Sequence, residues 1–408
     1  MFSRPFLTLG LAMFAATMGI GVVAPVLPVH ARSLGATGPQ IALTFSAFAL
    51  TQVLISPFAG RIGDRFGRKP FILLGLATYL VAAIGWLITT DIWTAIALRA
   101  LSGVGSALVF ALASAYIGDL TPRGQEGRYM GVYGLFDFLG FGAGPLVSGV
   151  LRDRWGFDAV FMFMAALIAG SLALVSVLLP ARVAWVDAEL TDGGSEAEVE
   201  LVTAPWSEIL RHPVLQGLFV VGLGYSLAFG AGFSFLAIYL EGRIGATATM
   251  VGIILAGQEF TAGLLQPVFG RFADRASRRA MILVGVAMVA AGYSMFAVTD
   301  NYLLLALVFP LGAGLGTAIQ GVASRAVAVE VGRELGMATV MSLNSMSFAL
   351  GVLVGSLGGG VLSDTTGDRS VFVGASVALL VCAAIFQART AGHSLGGATS
   401  RERVTVEG

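Results

Sequence analysis

The chain has 408 residues, of which 56% are apolar and only 12% charged, with 24 Lys and Arg against 24 Asp and Glu. A soluble chain of this length would carry about a quarter charged residues. This composition and a mean hydropathy of +0.86 therefore exclude most soluble classes and predict a polytopic membrane protein. The zero net charge leaves no basic stripe for a nucleic-acid partner. With one cysteine and three scattered histidines, we expect no disulfide framework, no metal site and no cofactor.

Twelve stretches with few or no charges are long enough to cross a bilayer as a helix, which takes roughly 20 apolar residues. In chain order these predicted spans are 6–29, 40–60, 70–90, 93–117, 128–150, 157–180, 213–240, 247–269, 280–299, 302–324, 336–361 and 370–388. The even-numbered loops and the tails hold 18 of the 24 basic residues, the odd-numbered loops hold five, and Arg99 falls inside a span. The positive-inside rule therefore predicts a cell (inner) membrane protein with both termini in the cytoplasm.

An internal repeat divides the chain into two halves. Residues 56–75 return as 266–285, at an offset of 210, and shorter matches near 149–161 return at an offset of 211. The pattern predicts an all-α fold of two parallel six-helix bundles, 1–180 and 213–390, around a central cavity, which is a transporter architecture. An acidic linker, 181–212, and a tail, 391–408, are expected in the cytoplasm. We expect most of the linker to be solvated, with Trp206 to His212 as a candidate segment at the membrane interface.

The segment after the second predicted span is the most specific motif. It reads Gly60-Arg-Ile-Gly-Asp64-Arg65-Phe-Gly67-Arg68-Lys69, and residues 270–279 are a weaker copy. This segment resembles motif A of the major facilitator superfamily, and the resemblance covers almost the whole chain. Gly60 allows close approach of two helices, and Asp64 is placed to accept hydrogen bonds from a neighbouring helix N-terminus. We expect Arg65 and Arg68 to reach acidic groups, of which Asp119 is the preferred partner.

The resemblance implies that this cluster latches an outward-open state and opens on switching. The gating residues implied are Gly60, Asp64, Arg65, Gly67, Arg68 and Asp119, with Asp274 and Arg275 of the second copy. Within the fourth span, the stretch from Arg99 to Gly105 is similar to motif B of the family. In that motif a buried arginine is linked to proton coupling. An arginine at this depth costs on the order of 3 kcal/mol on insertion scales, so Arg99 should face the protein interior.

The fifth predicted span carries a glycine pattern. Gly131, Gly140, Gly144-Pro145 and Gly149 match motif C of the same family, except that Ser148 replaces one glycine. Glycines at this spacing make a smooth face for helix packing, and proline frees a backbone carbonyl. In the family this pattern marks antiporters, and the chain resembles the twelve-span drug/proton antiporters.

Three ionisable residues are expected inside the membrane, where such residues are functional candidates: Arg99, Asp137 and Glu259. A carboxyl group that is removed from water holds a proton more readily. We therefore expect Asp137 or Glu259 to carry the coupling proton. The central-cavity candidates for substrate binding are Phe136, Phe138, Tyr225, Phe229, Phe233, Phe235 and Gln258. An aromatic cavity with one or two acids suits lipophilic or cationic compounds.

The expected function is proton-coupled export of small, drug-like molecules by alternating access, by a monomer in the lipid bilayer. An ATP-driven pump is excluded, because the single Lys69 precedes Pro70 and no phosphate-binding G-x-x-x-x-G-K-[ST] motif is present. No nucleophile or paired-carboxylate constellation indicates an enzyme. Two alternatives stay open, an uptake or metabolite carrier of the same fold and a non-transporting membrane sensor or assembly protein.

Overall fold

The computed structural model describes residues 2–23, 26–180, 204–393 and 395, and its regular elements there are all helical. The first half contains Arg4–Val23, Leu27–Ser33, Gly38–Phe66, Lys69–Ile88, Ile92–Asp119 and Glu126–Leu178. The second half contains Trp206–Arg211, Pro213–Tyr239, Leu240–Ile244 (π-helical), Ala248–Ala273, Arg278–Val298, Tyr302–Phe309, Pro310–Gly314 (π-helical), Leu315–Leu335, Met337–Thr366 and Asp368–Thr390. Most of the predicted linker, residues 181–203, and most of the tail lie outside the described residues.

We number the spans 1 to 12 in chain order, leaving aside the short helices Leu27–Ser33 and Trp206–Arg211. Spans 5 and 6 are two helices that follow directly on one another between Glu126 and Leu178, with a kink at Gly156, which has a φ of 80°. L side chains rarely adopt that backbone conformation, so a glycine is required at this kink. Span 10 runs from Tyr302 to Leu335 and includes a π-helical turn.

Among the described residues, 11 helices are long and apolar enough to cross a membrane. Span 8, Ala248–Ala273, is a further helix of 26 residues. Its polar side chains Gln258, Glu259 and Gln266 are between 0% and 8% exposed. The expected eighth span is therefore present as a long helix, and these polar side chains lie inside the protein.

Two predicted spans end too early. Span 2 continues to Phe66, so most of the segment read as a loop is helical and only Gly67 and Arg68 form the turn. Span 10 continues to Leu335, which places Arg325 inside a helix. Charged residues were taken to mark helix ends, but a charge that is paired within the protein can lie well inside a helix.

The two bundles meet mainly through spans 2 and 11 and through spans 5 and 8. We call the side of the molecule with the turns Gly67–Arg68 and 274–277 the basic face, and the opposite side the open face. Among the described residues, hydrogen bonds and ion pairs join the bundles between the basic face and the middle of the spans. Further toward the open face, Gly149 and Gly252 have open space where a Cβ would be. These contacts close the basic face.

A polar cluster at the open face ties three spans of the second bundle together. Asp300, between spans 9 and 10, has Oδ1 2.7 Å from the Tyr239 hydroxyl and Oδ2 2.7 Å from Nη2 of Arg369. Nε of Arg243 is 3.1 Å from Oδ1. The hydrogen bond with Tyr239, and then those with Arg369 and Arg243, lower the pKa of Asp300 to about 2.

We expect Asp300 to stabilise the folded protein in a pH-dependent way. Its pKa is lower in the folded chain than the roughly 3.9 of a free aspartate, so its contribution is present above about pH 4 and is lost as the pH falls through about 2. The melting temperature of Asp300→Asn should lie below that of the wild type at pH 7, and the difference should shrink below pH 4. Asp364→Asn, which changes an exposed carboxyl, is the control. A difference that is independent of pH would contradict this account.

Candidate gate and central site

Asp64 joins the first bundle to the N-terminus of span 11. Its carboxylate accepts hydrogen bonds from the backbone N–H groups of Ala338 and Thr339, both at 2.8 Å, and from the Thr339 hydroxyl at 2.7 Å. The residue is 2% exposed. A carboxylate at this position satisfies N–H groups that have no partner inside the helix and interacts favourably with the helix dipole. This contact, which we call the first latch, has the geometry expected from the sequence.

Arg68 supports the first latch from within the same bundle. Its guanidinium lies 3.2 Å from Oδ1 of Asp64 and 2.8 Å from Oδ2 of Asp119. Arg65, which was expected to reach an acidic group, is exposed, and its guanidinium lies over the Phe66 ring at 5.2 Å. The reason is helical geometry, since residues 64 and 68 share one face of the turn and residue 65 points about 100° away.

The second copy of the motif forms an equivalent second latch. Asp274 accepts from the backbone N–H groups of Gly127 at 2.6 Å and Arg128 at 3.0 Å, at the N-terminus of span 5. Burial raises the pKa of Asp274, and these two hydrogen bonds oppose the rise. Nη1 of Arg278 is 2.5 Å from Oε1 of Glu330. These residues lie 210 or 211 positions from those of the first latch, so the weaker copy keeps the same contacts.

The expected gating residue Arg275 does not take part in the second latch. It is exposed, and no polar partner is described for it among the residues that the structure covers. The arginine that corresponds to Arg68 is Arg278, which is 1% exposed. The repeat offset of 210 could have identified it.

The second latch contains ion pairs between the bundles that the sequence did not indicate. Glu126, at the start of span 5, is 1% exposed and lies 3.2 Å from Nη2 of Arg278 and 2.5 Å from Nη1 of Arg333. Nη2 of Arg333 also donates to the carbonyl of Thr121 at 2.6 Å. A buried carboxylate is thus held by two guanidinium groups of the other bundle. No simple spacing signal links residue 126 to residue 333.

Glycines allow the bundles to approach at both latches. A Cβ at Gly60 would lie 2.7 Å from the carbonyl oxygen of Ala338, and a Cβ at Gly127 would clash with the backbone at Gly270. Gly67 has a φ of 88° and ends span 2. The expected role of Gly60 in close helix approach therefore agrees with its position.

The end of the linker also lies against the latches. Nη2 of Arg61 donates to the carbonyl of Ala204 at 3.2 Å, and its guanidinium lies 4.3 Å from the centre of the Trp206 ring. The N–H of Ala204 donates to the carbonyl of Leu335 at 3.3 Å. The short helix Trp206–Arg211, in the segment expected as a candidate for the membrane interface, therefore packs at the basic face near both bundles.

The candidate proton-coupling residues occupy two separate places. Arg99 donates from Nε to the carbonyl of Thr44 at 3.4 Å and lies 4.5 Å from the centre of the Phe48 ring, inside the first bundle. Asp137 lies at the interface of the bundles, where its Oδ2 is 3.6 Å from Nη2 of Arg325. Arg325 is a fourth ionisable residue inside the membrane region, so the expectation of three was wrong.

Glu259 lies near Asp137 on the facing helix. It is 8% exposed, and its Cβ is 3.1 Å from the position that a Cβ on Gly142 of span 5 would take. Gln258 beside it is 4% exposed, and the hydroxyl of Tyr225 is 3.4 Å from that of Thr317. Two carboxyl groups, one from each bundle, thus lie close to the interface near the middle of the spans.

The glycines of span 5 divide between two partners. Gly140 packs on Thr17 and Phe14 of span 1, and Gly144 packs on Gly21. Gly131 faces span 8 and Gly149 faces open space. Neither of them therefore contacts span 1, as Gly140 and Gly144 do.

Pro145 lacks a backbone N–H, so it cannot donate a hydrogen bond to the carbonyl of Phe141, four residues earlier. That carbonyl lies 2.9 Å from the position of a Cβ on Gly21. The expected freed carbonyl therefore faces the close contact between spans 1 and 5.

We expect Gly144→Val to destabilise the first bundle. A Cβ at Gly144 would lie 2.6 to 2.7 Å from backbone atoms of Gly21, and spans 1 and 5 would have to separate. Overpacking of this kind costs about 1–3 kcal/mol. Gly149→Val makes the same exchange in the same helix without a contact and is the matched control. Thermal unfolding of both variants in detergent is the measurement, and equal melting temperatures would contradict the packing argument.

Aromatic rings converge on Phe229 near the interface. The ring centre of Phe229 lies 6.5 Å from that of Tyr225, 5.7 Å from Phe233 and 6.3 Å from Phe141 of the first bundle. Phe229, Phe233 and Gln258 also line a small cavity within the second bundle.

Three aromatic candidates do not join this cluster. Phe136 packs against Gly10 of span 1, and Phe235 packs against Gly359 of span 11. Phe138 lies instead under the guanidinium of Arg325 at 5.4 Å. The sequence did not single out Phe141, because residue spacing alone does not show which face of span 5 meets the second bundle.

The chain was compared with known proteins. The family model described as Major Facilitator Superfamily matches residues 9–244 and 227–403. An uncharacterised MFS-type transporter of Methanocaldococcus jannaschii is 25% identical over 360 residues, covering 88% of this chain and 91% of the relative. The multi-drug resistance efflux pump PmrA of Streptococcus pneumoniae is 25% identical over 376 residues, covering 89% and 90%. The structure of the human organic anion transporter MFSD10 (TETRAN) matches with a TM-score of 0.78 and 18% identity, covering 94% of this chain and 99% of that one. This last similarity shows the fold.

Proposed function

Because the chain belongs to the major facilitator superfamily, we propose that this multi-pass membrane transporter is a proton-coupled antiporter that exports small lipophilic or cationic molecules. The observation that carries the proposal is the pair of carboxyl groups at the bundle interface, Asp137 and Glu259, next to the aromatic cluster at Phe229. Acids at this depth are costly and are functional candidates. The relative from Streptococcus pneumoniae is a multi-drug resistance efflux pump, which supports export.

The distribution of basic residues supports an orientation with the basic face in the cytoplasm of the cell membrane. In this orientation the two latches would close the cytoplasmic side, which corresponds to an outward-open state. Protons would reach the carboxyl groups from outside, and substrate would leave by the same opening. Release of both latches would open the opposite side, with Asp64, Arg68, Asp119 and Asp274 as gating residues.

The aromatic cluster supports the substrate class. Aromatic faces attract cations, and a largely apolar pocket with a few polar groups is typical of sites for drug-sized molecules. Phe229, Phe233 and Tyr225 supply aromatic faces, and Gln258 supplies a polar side chain near them. Phe141, from the first bundle, would close the site from the other side.

The experiment uses everted membrane vesicles that contain the transporter and are acidified inside by respiration. A panel of lipophilic cations, other toxic compounds, sugars and amino acids is added in turn, and the internal pH and the accumulated compound are measured. We expect lipophilic cations to accumulate and to make the interior less acidic, since protons leave as the compound enters. Vesicles without the transporter and vesicles treated with a protonophore are the controls. Proton movement with sugars or amino acids alone would favour a metabolite carrier, and no coupled movement with any compound would overturn the proposal.

A further inference from the structure

Arg325 and Asp137 form an ion pair between the bundles. Asp137 belongs to span 5 of the first bundle, Arg325 to span 10 of the second, and their side chains are 22% and 21% exposed. The guanidinium also lies 5.4 Å from the centre of the Phe138 ring. Both charges are therefore partly removed from water, where their attraction is stronger than at a free surface.

The surroundings of Asp137 contain one basic group. From span 8, Glu259 adds a second acid, and from its own helix Tyr133 adds a hydroxyl, which is 3.4 Å from that of Ser114 in span 4. Span 1 has no charged residue between positions 5 and 23. Among the described residues, Arg325 is thus the cation that compensates Asp137.

The pair lies on the closed side of the interface. One turn from Asp137 toward the basic face, a Cβ at Gly134 would clash with the amide of Gln266 and lie 2.6 Å from Nη1 of Arg325. Gln266 is 0% exposed. Span 5 is in direct contact here with Gln266 and Arg325 of the second bundle. Opening of the basic face separates the bundles at this contact and therefore moves Arg325 away from Asp137. Separating the two charges is unfavourable while Asp137 is ionised.

We propose that Arg325 is a coupling residue, because its ion pair with ionised Asp137 holds the basic face closed until a proton neutralises Asp137. The inference rests on the proposed function, in which Asp137 takes up a proton from the open face. Protonation removes one charge of the pair and leaves the Asp137 carboxyl neutral, so the bundles separate at the basic face without separating charges. An outward-open transporter without a proton would then stay outward-open, which prevents proton-independent cycling.

The test measures the distance between spin labels at two exposed positions of the basic face, Arg123→Cys and Arg271→Cys, in a Cys382→Ala background in lipid nanodiscs. In the wild-type sequence we expect a short distance at about pH 8 and an added long distance at about pH 5. Arg325→Gln should show the long distance at both pH values, with its population at pH 8 raised about tenfold, which corresponds to about 1.4 kcal/mol. Arg325→Lys should keep the response to pH.

Two further variants secure the result if Arg325→Gln folds poorly. Asp137→Asn removes the same pair from the other side and should also give the long distance at pH 8. The exchange Asp137→Arg with Arg325→Asp should restore the short distance. Asp364→Asn, which changes an exposed carboxyl and leaves the pair intact, is the control. A short distance at pH 8 in both Arg325→Gln and Asp137→Asn would overturn the inference.

Different results would contradict the coupling role of Arg325 and the antiporter assignment. If substrate-induced proton flux occurs in the wild type but Arg325→Gln keeps wild-type distances at both pH values, the coupling role of Arg325 is wrong and the antiporter assignment stands. If the wild type moves no protons with any compound, the antiporter assignment is wrong. A long distance in Arg325→Gln would then show only a structural tie, which overturns the coupling role as well.

Discussion

Glu126→Ala is expected to shift the transporter from the state closed at the basic face toward the state open there by about two to four orders of magnitude. In the closed state, Glu126 is buried and lies against Arg278 and Arg333 of the other bundle. Removing one partner of a buried ion pair typically costs about 3–5 kcal/mol, because charge is left uncompensated. When the basic face opens, the two arginines are hydrated, so the cost falls on the closed state alone.

The population of the open state can be measured with the same spin labels at the basic face, or by alkylation of a cysteine placed in the closed interface. Glu126→Gln, which keeps the shape but removes the charge, should have a smaller effect in the same direction. Glu334→Gln, next to Arg333 and exposed, is the matched control. If Glu126→Ala and Glu334→Gln give the same open population, the ion pairs of the second latch do not hold the gate.

Replacing both interface acids, Asp137→Asn with Glu259→Gln, is expected to abolish proton-driven accumulation. One proton that moves down 100 mV releases about 2.3 kcal/mol, enough for roughly fiftyfold accumulation of a neutral substrate exchanged one for one. The amides keep the size and hydrogen-bonding capacity of the acids but exchange no proton. The accumulation ratio in everted vesicles should therefore fall toward one while exchange of substrate across the membrane continues.

Membrane levels of the double variant should equal those of the wild type, which a blot of the vesicles checks. Each single variant is measured as well, since only the residue that carries the proton should abolish the flux alone. Asp364→Asn, an exposed acid outside the interface, should leave accumulation unchanged. Normal acid-driven accumulation by the double variant would exclude both carboxyl groups as proton carriers.

The sequence predicted the fold and much of the gate because these depend on local patterns. The lengths of the apolar stretches predicted the helices, and the repeat at an offset of 210 residues predicted the two bundles. The acceptor role of Asp64 followed from its place at the end of a helix facing a second bundle, and its contacts with span 11 agree with that prediction. The pairing of Arg68 with Asp119 followed from opposite charges at adjacent helix ends.

The contacts between bundles were harder to predict, because they depend on how two rigid bodies are placed. Arg325 was assigned to a loop, since a charge usually marks the end of an apolar span, whereas here its partner Asp137 lies on the other bundle. Glu126 gave no signal, because its partners are more than 150 positions away. Phe136 and Phe141 differ only in which face of span 5 they occupy.

The two latches have a consequence for how the bundles recognise each other. Each bundle contributes one acid, Asp64 or Asp274, and one helix N-terminus, at Ala338 or Gly127. The acid of each bundle accepts hydrogen bonds from the helix N-terminus of the other, so the two contacts are reciprocal. A bundle produced alone would therefore display both an acid without its helix end and a helix end without its acid. The facing surfaces of the two bundles thus carry complementary contacts that favour their association. We expect the two pieces of a chain cut within 181–203 to reassemble in the same membrane.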